Sequence, residues 1–188
     1  MILTIPDAQA PTRYPFLIIG YGNDLQGDDA VGLKVAMTVA NWHLSSVKSL
    51  AVHQLMTELS AEMIRADYVI FVEACGTSCA PTIQLDPVVT DKKTLAHCAE
   101  PLLNHTCEPS ALVALTQVLC GRHPQAWLLQ IPTEHHEPSK SLSKTAQRGV
   151  DHALRTIEQF FITYLWPTGV KSEPTMKSSV PTFAGGKT

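Results

Sequence analysis

The chain alternates between short unbroken apolar runs and longer stretches with helical spacing. Residues 16–20, FLIIG, form an apolar run beside Pro15 and predict a buried strand. From Asp28, apolar positions at Val31, Val35 and Val39, joined by Leu33, Ala36 and Ala40, predict a helix to about Trp42. A second strand is expected at 49–54, then a short helix in MTELSAEM with Thr57 as its cap. DYVIFVEA, 67–74, is β-branched, aromatic and apolar up to Glu73, and is the strongest strand signal. Residues 82–88 suggest another strand. CEPSALVALTQVLCG, 107–121, reads as an amphipathic helix, with Pro109 in a first turn that tolerates it and Gly121 as the stop. AWLLQI predicts a strand, and a closing helix is expected from about 141 to 165. Strands alternating with helices argue for an α/β fold with a mainly parallel sheet covered on both faces.

After Trp166 the pattern ends, and Pro, Gly, Ser, Thr and Lys dominate. The expected organisation is an N-terminal lead over 1–15, one domain over 16–166 and a flexible tail over 167–188. A chain of 188 residues can bury a sizeable core without disulfides. Its net charge of -3 provides no basic field for nucleic acid. No segment reaches the ~18 apolar residues that span a bilayer, and the N-terminus lacks a secretory pattern. The five cysteines contain no C-x-x-C pair and are expected to be reduced, mostly structural thiols of a cytoplasmic protein.

The chemistry concentrates in GYGNDLQGDDAVG, 20–32. Gly20 and Gly22 match the start of a dinucleotide fingerprint, but Leu25 occupies the third glycine position. Two carboxylates then stand where a pyrophosphate would need positive potential, and their repulsion outweighs a helix-dipole attraction of roughly 0.3–1 kcal/mol. Phosphate cradling is therefore disfavoured. On the simplest reading both aspartates complement the helix N-terminus, Asp28 as cap and Asp29 in the first turn, which explains Asp29 less well because one acid already caps. Glu73 ends the most apolar strand, where a charge calls for a partner unless it is simply a carboxylate at the loop boundary. His105 precedes a helix, where a capping role is the ordinary alternative. Two carboxylates and an imidazole form a ligand set suited to nickel, zinc, iron or manganese.

These blocks resemble the [NiFe]-hydrogenase maturation endopeptidases. That family has an apolar strand, a G-x-G-N-x-L turn, two acids and a small-x-Gly stretch, here GYGNDLQGDDAVG. A strand ending in an acid and Ala follows, here VIFVEA at 69–74, and then a histidine before a leucine-rich helix, here HTCEPSALVALTQVLCG at 105–121. The resemblance implies a three-layer α/β/α sandwich of the phosphorylase/hydrolase-like kind. It also implies metal contacts at Asp29, Glu73 and His105, to nickel already inserted in the hydrogenase large-subunit precursor. The peptidase then removes a short C-terminal extension, with no resident organic cofactor. Asp29 or Glu73 would act as general base. Glu73 departs from the family's frequent Asp, and IPTEHHEPSKSLS lacks a glycine often found before LS. His135 and His136 in that loop read as solvated or as substrate contacts. HQLMTELSAEM, 53–63, resembles the substrate-facing segment of a subgroup serving cytosolic, bidirectional NAD(P)-linked hydrogenases, which implies substrate binding at His53 and Gln54.

No serine elbow, H-E-x-x-H motif or papain-like cysteine context competes with the carboxylates. Two other classes stay open: a non-proteolytic nickel-binding assembly chaperone, and a small-substrate hydrolase with a resident metal. The expected partner is the precursor, with the protein a monomer that binds neither nucleic acid nor membrane.

Overall fold

The computed structural model describes residues 13–76, 81–90, 107–134, 138–139 and 141–165. The first strand, β1 (Tyr14–Tyr21), leads through a 3-10 turn (Gly27–Ala30) into α1 (Val31–Ala40) and then β2 (Val47–Val52). A second 3-10 turn (Thr57–Leu59) and the one-turn α2 (Ser60–Met63) return the chain to β3 (Ala66–Cys75). Then come β4 (Gln84–Pro87), α3 (Pro109–Cys120), β5 (Gln125–Pro132) and α4 (Lys144–Leu165). The sheet order is β2-β1-β3-β5-β4, parallel except for β4, which runs antiparallel to β5.

Period-2 alternation divides the sheet into two apolar faces. Phe16, Ile18, Ile70, Val72, Leu129 and Ile131 pack with α1 and α4. Leu17, Ile19, Val69, Phe71 and Ala126 pack on the other side with Met63 of α2 and Leu112 and Val113 of α3. The expected three-layer α/β/α architecture is present. Among the described residues, no helix is long and apolar enough to cross a membrane.

Two expected caps are not caps. Thr57 lies inside its 3-10 turn, and its hydroxyl donates to the neighbouring Glu58 carboxylate rather than to a helix N–H. Asp28 likewise makes no cap bond, because the 3-10 turn beginning at Gly27 delays α1 to Val31. The cysteine expectation is corrected in part. Cys107 and Cys120 are reduced thiols, whereas Cys75, carried to the end of β3, is disulfide-bonded. Residues 1–12 of the expected 1–15 lead and the whole of the expected tail over 167–188 lie outside the described residues, and β1 already begins at Tyr14.

The first turn's glycines allow helix and sheet to meet at backbone distance. A Cβ on Gly20 would stand 1.9 Å from the Gly32 carbonyl oxygen. One on Gly32 would stand 2.4 Å from the carbonyl oxygens of both Tyr21 and Val72. The start of α1 therefore lies directly over the ends of β1 and β3.

At the opposite edge of the sheet, Glu62 accepts from Tyr14 Oη and Lys48 Nζ, each at 2.7 Å. Partial burial pushes its carboxyl up, but the Lys48 and Tyr14 hydrogen bonds and the nearby positive charges outweigh it and hold Glu62 below the usual carboxylate range. A depressed carboxyl contributes stability above the unfolded-state pKa, and loses it as pH falls through the folded-state value. Glu62→Gln should thus lower stability by about 1 kcal/mol at pH 7, a modest figure because the group is partly exposed. Urea unfolding of both proteins should show the difference vanishing below the ordinary carboxylate range.

Candidate active site

At the carboxyl edge of the sheet one row of residues crosses the four parallel strands. Val52 of β2 stands opposite Tyr21 of β1, and Glu73 of β3 opposite Gln130 of β5. The pairing of Gly20 with Val72 makes Tyr21 and Glu73 neighbours in the next position. In the row below, on the same face, Ile19 and Phe71 are fully buried. The face thus changes from apolar to polar within one residue pair per strand. Ligands of open α/β sheets bind at this edge.

Glu73 is half-buried, and both of its oxygens accept hydrogen bonds. Tyr21 Oη–H donates to Oε2 in a short contact, and Gln130 Nε2 donates to Oε1 at 2.9 Å. Burial raises the Tyr21 hydroxyl far above its ordinary pKa, helped by the Glu73 charge and hydrogen bond and by the Glu108 charge. Tyr21 is therefore a neutral phenol and a dependable donor. Sequence reading missed both Tyr21 and Gln130, since their meeting with Glu73 depends on strand register.

The adjacent aspartates divide their work. Asp29 is half-exposed, and its Oδ2 accepts from the Asn23 N–H at 2.8 Å, within the glycine-rich turn. Gly22 holds a left-handed φ of 144° beneath it, and a Cβ there would stand 2.0 Å from the Asp29 carbonyl oxygen. Asp29 is thus packed one residue beyond the tyrosine that holds Glu73. Asp28 is fully buried and faces elsewhere. Its carboxylate accepts from the Ser143 N–H at 2.6 Å, the Ser143 hydroxyl at 2.7 Å and the Glu134 N–H at 3.0 Å. Ser143 Oγ in turn accepts from the Ala146 N–H at 3.0 Å, which caps α4. Asp28 therefore supports a cap belonging to a different helix. Two backbone bonds add to this link, Gly27 N–H to Ser139 O at 2.9 Å and Ser139 N–H to Leu25 O at 3.3 Å.

His105, His135 and His136 lie outside the described residues. The chain entering α3 is fixed where Cys107 N–H donates to Leu55 O at 2.9 Å, and Glu108 follows close enough to influence Tyr21. His53 and Gln54 are exposed and line a groove of about 410 Å³ with Val52, Met56, Glu58 and Leu59. Gln54 Nε2 donates to Met56 Sδ. Both residues follow β2, two strands and roughly 10 Å from β3 at ordinary strand spacing. Neither shares a hydrogen bond with Glu73 or Asp29.

A larger groove of about 560 Å³ opens between α4 and β5, lined by Trp127, Phe160 and Tyr164. It holds no acid, and it lies on the face of the sheet opposite Glu73. Despite its size, the lack of an acid makes it a poorer candidate than the edge where the carboxylates stand. Among the described residues, no three His, Cys, Asp or Glu side chains form a metal-binding group by themselves.

No protein-family model and no curated protein matches the sequence. Solved structures do match the fold. The hydrogenase maturating endopeptidase HybD from E. coli aligns with a TM-score of 0.59 at 21% identity, over 80% of this chain and 93% of that one. An endopeptidase from Escherichia coli gives 0.61 at 20% identity, over 87% and 99%. The [NiFe] hydrogenase maturation protease HybD from Thermococcus kodakarensis gives 0.57 at 17%, over 78% and 98%. At these identities the likeness establishes a shared fold.

Proposed function

We propose that this chain, which shares its fold with the hydrogenase maturation endopeptidases, removes the C-terminal extension of a nickel-loaded [NiFe]-hydrogenase large-subunit precursor. One observation carries the reading: two carboxylates, Asp29 and Glu73, occupy the carboxyl edge of a parallel sheet, each oriented by a hydrogen bond. Fold alone would leave many chemistries open, and the acids narrow them.

In this reading Asp29, Glu73 and His105 contact the nickel that the precursor brings, so the metal acts as a signal that loading is complete. The groove residues His53 and Gln54 bind the precursor's backbone beside the cut. A carboxylate takes a proton from water as the water oxygen bonds to the scissile carbonyl carbon. The C–N bond then breaks and the proton passes to the leaving amine. The products are a shortened large subunit with a new carboxyl terminus and a released peptide. We place this activity in the cytoplasm, carried out by a monomer, and the HQL segment inclines the partner toward a bidirectional NAD(P)-linked hydrogenase.

Mass measurement of the precursor tests this reading. Incubation should remove one C-terminal peptide from the nickel-loaded form and leave the nickel-free form at full mass. Stable binding of a correctly loaded cognate precursor without any change in mass would overturn the reading in favour of an assembly chaperone.

A further inference from the structure

We infer that Tyr21 and Gln130 are positioning residues that fix the orientation of the Glu73 carboxylate for peptide cleavage. The inference rests on the endopeptidase reading above and adds two residues to it. A glutamate has three rotatable bonds, and at the end of a strand it would sample many directions unless held. Here it is held from both sides by residues level with it on the flanking strands. Tyr21 donates to one oxygen and Gln130 to the other. A carboxylate offers about four lone-pair positions. Two are occupied by these donors, which leaves the remaining two, in a fixed plane, for a substrate.

The holders are themselves anchored. The Tyr21 ring packs against the apolar cluster of the α2–α3 face, and the Gln130 backbone belongs to the β5 ladder. Both donors come from rigid strands rather than loops, which suits a constellation that must keep its geometry through turnover. Neither side chain needs to touch the precursor to act in this way.

The test uses the full chain and a nickel-loaded precursor, with kcat and KM measured for Tyr21→Phe, Gln130→Met and Glu73→Gln. Tyr21→Phe keeps the packed ring and removes only the donor. It should lower kcat about 10-fold, the low end for loss of a residue that orients a ligand. KM should rise by less than kcat falls, because Asp29, His105 and the groove residues still bind the precursor and only the Glu73 contact is misaligned. Gln130→Met should show the same split, and serves as the test if Tyr21→Phe folds poorly. In the Glu73→Gln background, adding Tyr21→Phe should cause no further fall, since the carboxylate being oriented is already gone. Wild-type kcat in both single variants would overturn the inference, as would an equal fall from Tyr21→Phe with and without Glu73. A wild-type chain that cleaves nothing would instead refute the endopeptidase reading, and this inference with it.

Discussion

Asp28→Ala should destabilise the protein by roughly 3 kcal/mol, although it removes an acid from the most distinctive motif in the sequence. The substitution strands the Ser143 N–H, the Ser143 hydroxyl and the Glu134 N–H, all of which donate to a carboxylate with no exposed surface. A donor left unsatisfied away from water costs about 1–3 kcal/mol, and less where its residue reaches solvent, as half-buried Ser143 and exposed Glu134 do. Some of that returns because Ser143 can rotate, and some because a buried charge no longer has to be desolvated. For a domain of this size the net loss lowers Tm by about 10 °C. Asp28→Asn should fall in between, since it restores one acceptor oxygen but turns an NH₂ toward a donor. Thermal unfolding followed by circular dichroism checks both variants. A Tm within about 1 °C of wild type for Asp28→Ala would refute the structural role.

Glu73→Gln and Asp29→Asn should behave in the opposite way, with Tm nearly unchanged and cleavage reduced at least 100-fold. A general base contributes about 10²–10⁴-fold to a hydrolysis, and 100-fold corresponds to about 2.7 kcal/mol of barrier. Both amides are close in shape to the acids they replace. The Glu73 replacement still offers an oxygen to Tyr21 or Gln130, and the Asp29 replacement still offers one to the Asn23 N–H. The folded state therefore loses little. Timed mass spectra of the loaded precursor, compared with Tm for the same preparations, should separate the pair 28/29 into one residue for folding and one for cleavage. Full activity in both amide variants would remove these carboxylates from the chemistry.

Much of this architecture was legible because apolar periodicity reports burial directly. The VIFV run became the central strand, buried on both faces, and Val31, Val35 and Val39 became the inner stripe of α1. The mainly parallel sheet followed from the alternation of elements. Legibility failed wherever a partner lay far along the chain. Asp28 looked like a local cap because capping operates over a few residues, whereas its actual partner, Ser143, is 115 positions away. Thr57 matched the cap pattern, but the 3-10 turn placed it one step too far inside. Glu73 was expected to need a partner, and the register supplied two that no single segment could reveal. Asp29 follows β1 and Glu73 ends β3 at the same edge of the sheet, while His53 and Gln54 line a separate groove after β2.

The most direct measurement is the mass of a nickel-loaded large-subunit precursor after incubation with wild-type protein and, in parallel, with Glu73→Gln. Wild type should remove a single C-terminal peptide, and the variant should leave the precursor intact over the same time. An unchanged mass with wild type, or equal cleavage by both proteins, would contradict this expectation.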